Sequence, residues 1–147
     1  MKKIISLAVC FVMPFVLMGA KNAEDTPPTT SAQAFVLYCP DNNTVICSKN
    51  ADEKMKPAST TKIMTSLITL EEAASCNSEV TFKQEMVAEG SSMYLKVGEK
   101  VRLSDLASGM MMASGNDAAN AAAYTISGSP EKFSQRMNEK AKQIGMT

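Results

Sequence analysis

The most informative count in this chain is a zero: its 147 residues contain no histidine. That absence removes the Ser-His-Asp triad, Cys-His nucleophiles and histidine-ligated metal sites together. Any nucleophilic chemistry here must draw its base from lysine or a carboxylate. Net charge is missing too, because 15 basic and 15 acidic side chains cancel. No basic cluster stands out against that balance, so nothing points to a nucleic-acid partner. Cysteine is scarce, and no Cys-x-x-Cys spacing occurs among Cys10, Cys39, Cys47 and Cys76. A zinc or redox role for them is weaker than the reading as small buried hydrophobes. Setting aside Cys10, which falls in the N-terminal apolar run, three thiols remain. An odd number fits one disulfide plus a free thiol, or no disulfide at all.

What is present suffices for one globular domain with a core: 45% of the residues are hydrophobic. Lys2 and Lys3 precede an apolar run from Ile4 to Met18 that closes with Gly19 and Ala20. A short basic start and a run of this size mark a secretory signal peptide over residues 1–20. The alternative is an uncleaved anchor, for which the run is marginal in length. Residues 21–32 are polar with paired prolines and read as a flexible linker.

Two β-rich runs, Ala34–Cys39 and Thr44–Cys47, flank Pro40-Asp41-Asn42-Asn43 and predict a β-hairpin. A charged loop then leads to Pro57-Ala58-Ser59-Thr60-Thr61-Lys62, the head of an apolar helical run ending near Ala74. Ser59 and Lys62 are three apart, so on a helix they share one face. This sets a hydroxyl beside an amine at a helix N-terminus, where free N–H groups and the positive dipole end favour negative charge. A serine nucleophile needs a base and something to stabilise its oxyanion. Ile63, Met64, Leu67, Ile68 and Leu70 make the helix apolar on most sides and place it centrally in a domain. Ser59, Lys62, Ser66 and Thr69 form one narrow polar stripe. A lysine there would be partly desolvated, which lowers its pKa towards that of a useful base. The motif alone is cheap: Ser129-Pro130-Glu131-Lys132 repeats it, with Ser129 explained as an N-cap and Pro130 as the first helical residue.

Farther on, Val80–Phe82 and Ser92–Leu95 read as short strands and Val97–Val101 as a tight turn. Ser104-Asp105 would cap a helix carrying Leu106, Met110 and Met111, which breaks at Ala113–Asn116. A second helix runs from about Asp117 to Ile126, its alanines permitting close approach to a neighbour. A last one carries Phe133, Met137, Ala141 and Ile144, with Gly145 at its stop. The methionines outside the leader mostly belong to apolar faces and read as core. Ser114-Gly115-Asn116 sits at the break between two helices, where short polar side chains can face a cleft. Such triplets recur at Ser48-Lys49-Asn50 and Ser75-Cys76-Asn77, so the information lies in the ordered pair of motifs.

That pair, with the stretches NADEKMKPASTTKIMT, GSSMYLKVGEKVRLSDL and SGNDAANA, resembles the serine-type D-Ala-D-Ala carboxypeptidases, the low-molecular-weight penicillin-binding proteins. Gly115, where β-lactamases typically carry Asp, points the same way. The resemblance covers Gln33 to Thr147. It implies an α+β fold of the β-lactamase and penicillin-binding-protein type, an antiparallel sheet plus a helical lobe, with the site between them. It implies Ser59 as acylated nucleophile, Lys62 as its general base and Ser114 as a proton relay to the leaving D-alanine. Asn116 would hold Lys62 and the substrate amide. The reaction implied removes the terminal D-alanine of peptidoglycan stem peptides. β-Lactam antibiotics would be covalent inhibitors, and no metal or organic cofactor is implied. The family's third motif, K-T-G or K-S-G on a sheet strand, does not occur in these residues. We therefore expect residues 33–147 to be the N-terminal part of the catalytic domain, a fold incomplete at the C-terminus. The protein would act in the extracytoplasmic cell envelope, with any membrane attachment through an uncleaved leader or a C-terminal anchor. Two other readings accompany this one: a truncated, non-catalytic form that binds cell-wall peptide, and a β-lactamase.

Overall fold

The structure is a computed structural model that describes residues 29–146. The signal peptide and most of the linker expected from the sequence lie outside the described residues. Those described fall into two units, divided between Met55 and Lys56. No helix among them is long and apolar enough to cross a membrane.

The first unit is the predicted hairpin. Strands β1 (Phe35–Cys39) and β2 (Thr44–Lys49) pair antiparallel, with an irregularity between Leu37 and Tyr38. Asn43 at the turn and Asn50 after β2 take positive φ values of 56° and 48°, a region that asparagine tolerates better than most side chains. The open end is tied by side chains: Lys49 Nζ donates to the Ala32 carbonyl and Asn50 Nδ2 to that of Gln33, both at 2.9 Å. Cys39, Cys47 and Cys76 are all free thiols.

The second unit is mainly helical. Helix α1 spans Thr61–Ser75, α2 Leu103–Ala113, α3 Asn116–Ser127 and α4 Pro130–Gln143. Short strands β3 (Glu79–Thr81) and β4 (Lys100–Arg102) pair antiparallel, with Val80 opposite Val101. The core gathers Phe82, Met86, Leu103, Leu106 and Met110 against Ala118, Ala121 and Ala122 of α3. These α3 alanines are fully buried, and their small side chains let neighbouring helices approach closely, as the sequence suggested. A smaller cluster of Ile68, Ala123 and Phe133 joins α1, α3 and α4. The predicted cap of α4 is present, with the Lys132 N–H donating to Ser129 Oγ at 3.3 Å.

Several expectations need correction. Ser92–Leu95 is not a strand; its backbone N–H groups are used otherwise, as described below. The turn at Val97-Gly98 gives way at Lys100 to β4. Helix α2 begins at Leu103, so Ser104 does not cap it; Asp105 instead reaches back to the Arg102 N–H at 3.4 Å. Helix α1 buries the Ser66 and Thr69 part of its polar stripe, leaves Lys62 half-buried and exposes much of its apolar side. Thr65, Ser66, Ile68 and Thr69 are buried, while Ile63 and Leu70 are 60% and 50% exposed. The stripe tolerates burial because its hydroxyls are partnered. Thr69 Oγ1 donates to the Thr65 carbonyl at 2.7 Å, and Ser66 Oγ contacts Met110 Sδ. Methionines also divide: Met86 and Met110 are core, but Met55, Met111, Met112 and Met146 are exposed.

Candidate functional site

Ser59 belongs to a 3-10 turn, Ala58–Thr60, that precedes α1 rather than to the α-helix itself. The Thr60 N–H is already bonded to the Pro57 carbonyl at 3.1 Å, so the amides at this end of the helix are less free than an α-helical start would leave them. Ala58 adopts φ 47°, a left-handed conformation disfavoured for a residue with a Cβ and found where a chain is held for a purpose. Lys62 follows one turn later, half-buried in the first turn of α1.

The other half of the site comes from the α2–α3 junction. Ser114 ends α2 in the left-handed region, φ 52°. Glycine usually occupies such a helix end; here a serine takes it, which turns the hydroxyl back towards Ser59. Asn116 opens α3 one residue before the start expected from the sequence.

These four side chains form one network. Lys62 Nζ is 2.6 Å from Asn116 Oδ1, 3.2 Å from Ser114 Oγ and 3.5 Å from Ser59 Oγ. Ser114 Oγ in turn donates to Ser59 Oγ at 3.0 Å. Ser59 is exposed, at the edge of an open depression of roughly 360 Å³ lined also by Lys62, Thr65, Asn116 and Ala119. An amine beside two hydroxyls, one of them open to solvent, can pass a proton in either direction between them. The arrangement sets an amine, where a histidine-based triad would have an imidazole, within 3.5 Å of an exposed serine hydroxyl.

Asn116 has a second attachment. Its Nδ2 donates to the Glu89 carbonyl at 2.6 Å, and its backbone N–H donates to the Ser91 carbonyl at 2.8 Å. The loop before Leu95 therefore backs the site. Gly90, at φ 91°, makes this possible, because a Cβ there would fall 2.9 Å from Asn116 Nδ2. Sequence reasoning missed this loop, since its bonds to Asn116 span 25 and 27 positions of chain.

A family profile described as D-alanyl-D-alanine carboxypeptidase matches residues 20–147. The chain belongs to this family. Carboxypeptidase DacF of Bacillus subtilis (strain 168) is 35% identical over 156 residues, an alignment covering 99% of this chain and 40% of that protein. The crystal structure of D-alanyl-D-alanine carboxypeptidase DacD from Francisella tularensis superposes with a TM-score of 0.76 at 35% identity, over 83% of this chain and 31% of its own. Penicillin-binding protein D2 from Listeria monocytogenes, solved in its ampicillin-bound form, gives 0.69 at 28% identity, over 82% and 50%. The described residues thus carry part of the penicillin-binding-protein fold expected from the sequence, and the chain spans half or less of the length of each of these relatives.

Proposed function

We propose that this chain supplies the nucleophile half of a serine-type D-Ala-D-Ala carboxypeptidase site. The observation that carries the reading is the approach of one amine, Lys62 Nζ, to Ser59, Ser114 and Asn116 at once. Lys62 takes the Ser59 proton as Oγ attacks the carbonyl carbon of the penultimate D-alanine of a peptidoglycan stem peptide. The tetrahedral adduct collapses with cleavage of the C–N bond, and Ser114 Oγ relays a proton to the departing D-alanine amine. Water then attacks the ester, its proton returns through Lys62 to Ser59 Oγ, and the shortened stem leaves as an acid. Asn116 holds Lys62 and receives the substrate amide.

β-Lactams would acylate the same serine because they mimic the D-Ala-D-Ala end; the ampicillin-bound relative supports this. The carboxypeptidase reading is also favoured over the β-lactamase one by Gly115. A Cβ at that position would lie 2.9 Å from Asp117 Oδ1 and 3.2 Å from the Met93 backbone nitrogen, so the aspartate typical of β-lactamases does not fit without movement. Residues 1–20 act as an export signal and residues 21–32 as a flexible linker, so the enzyme works at the extracytoplasmic face of the envelope.

The test is covalent labelling of the full-length protein with a fluorescent penicillin. Wild type should label at Ser59 and shorten a D-Ala-D-Ala peptide, and Ser59→Ala should do neither. Equal labelling of both would remove the assignment. Rapid release of hydrolysed penicillin would move the reading to a β-lactamase.

A further inference from the structure

Asp117 is a buried carboxylate, 3% exposed, one residue beyond Asn116. The acyl-transfer steps do not use it, yet four donors converge on it. Met93 N–H and Ala118 N–H reach Oδ1 at 2.8 and 2.9 Å; Ser92 Oγ and Leu95 N–H reach Oδ2 at 2.7 and 3.0 Å. Three of the four come from the segment Ser92–Leu95, whose amides a strand would have paired. Within it, Tyr94 holds φ 64° while the residue stays 84% exposed. Nothing in the packing of that side chain explains a left-handed tyrosine; the bonds on either side, from Met93 and Leu95 to one carboxylate, do. The Ser92 hydroxyl completes the ring by accepting from the Tyr94 N–H at 2.8 Å.

The same segment continues back into the two carbonyls, of Ser91 and Glu89, that grip Asn116. Gly115 belongs to this arrangement as well, because the atoms a Cβ there would strike are Asp117 Oδ1 and the Met93 nitrogen, two members of the clamp. We infer that Asp117 is a positioning residue: its carboxylate pins Ser92–Leu95 to the start of α3, so that Glu89 and Ser91 hold Asn116 against Lys62. The inference rests on the acyl-transfer reading above and adds to it a residue that touches none of the reacting atoms. A charged acceptor suits the task. An ionised carboxylate offers only acceptors, so all four donors are satisfied at once, whereas an amide would turn an N–H₂ towards some of them.

The experiment compares wild type, Asp117→Asn and Ser92→Ala in the full-length protein. Penicillin labelling is resolved into reversible binding and the acylation rate, and backbone exchange is followed at Met93 and Leu95. For Asp117→Asn the acylation rate should fall by about 10- to 100-fold, the loss expected when reacting groups shift by a fraction of an ångström. Reversible binding should stay within about threefold, and exchange at both amides should quicken. A variant that unfolds cooperatively like wild type, keeps its protection and acylates within about twofold overturns the inference. So does a parallel loss of binding and acylation without faster exchange, which would mark a merely structural change. Should Asp117→Asn fail to fold, Ser92→Ala removes one bond of the four, and an unchanged acylation rate with unchanged exchange there overturns it too. If wild type itself does not label at Ser59, the acyl-transfer reading fails instead. Exchange at Met93 and Leu95 then decides the clamp on its own, faster in Asp117→Asn if it exists and unchanged if it does not.

Discussion

Asn116 is the residue on which the site's two halves depend, and replacing it tests the geometry most directly. Its side chain makes two hydrogen bonds of 2.6 Å, accepting from Lys62 Nζ and donating to the Glu89 carbonyl. Asn116→Ala removes both. A hydrogen bond to a charged group contributes about 1.5–3 kcal/mol, and the half-buried position favours the lower part of that range. At about 1.4 kcal/mol per factor of ten, loss of the Lys62 bond alone should slow Ser59 acylation about 10- to 40-fold. Asn116→Asp separates the two bonds. It keeps an oxygen for Lys62 but sets the other oxygen against the Glu89 carbonyl, so the loop loses its hold. Stopped-flow labelling with a fluorescent penicillin measures both variants in the full-length protein. If backing by the loop matters, Asn116→Asp also labels slowly. An Asn116→Ala protein that acylates within about threefold of wild type would refute the claim that this side chain sets the position of Lys62.

Two further outcomes follow from the structure. Burial raises the pKa of Asp117, but hydrogen bonds from Met93, Leu95, Ser92 and Ala118 outweigh it, so its carboxyl titrates below the ordinary value. A lowered folded-state pKa contributes stability that is full above the unfolded value of about 3.9 and is lost as pH falls through the folded value. Urea melts of wild type and Asp117→Asn should therefore differ by a constant amount from about pH 5 to 7, and the difference should shrink progressively as pH falls below about 4; a gap independent of pH would contradict the ionised clamp. Phe82 is 1% exposed at the centre of the helical unit's core, and Phe82→Ala should cost about 3–5 kcal/mol by denaturant unfolding, whereas a loss under about 1 kcal/mol would show that this cluster is not the core.

Much of the second unit was legible because its signals are local. Ser129 and Pro130 state the start of α4 within four residues, and the alanines of α3 announce a close-packed helix by composition alone. The hairpin likewise follows from two β-rich runs and the turn residues between them. Other features were misread for a common reason. Ser92–Leu95 carries the composition of a strand, but the Met93 and Leu95 amides and the Ser92 hydroxyl meet a carboxylate 22 to 25 residues away. Val80–Phe82 was read as a strand and overlaps β3, but its partner strand was read as part of the turn at Val97–Val101, because the pairing of Val80 with Val101 joins segments separated by a loop and a turn. Helix α1 was expected to be apolar on most sides and central; Ile68 is buried, but Ile63 and Leu70 are exposed, and the face packed inwards also carries Thr65, Ser66 and Thr69, whose hydroxyls bond their own backbone or Met110.

The amino-acid order alone determined which chemistry was open. With no histidine, a serine three residues before a lysine and an S-x-N triplet downstream, the pairing of hydroxyl with amine was readable before any coordinates. Tertiary structure decided how those groups meet. Ser114 and Asn116 reach Lys62 across 52 and 54 positions of chain, through a left-handed helix end and a loop pinned by Asp117. Periodicity along a chain encodes which faces an element presents, because that repeats every few residues. It does not encode which distant donor a buried carboxylate will find, since that depends on how helices and loops pack in three dimensions.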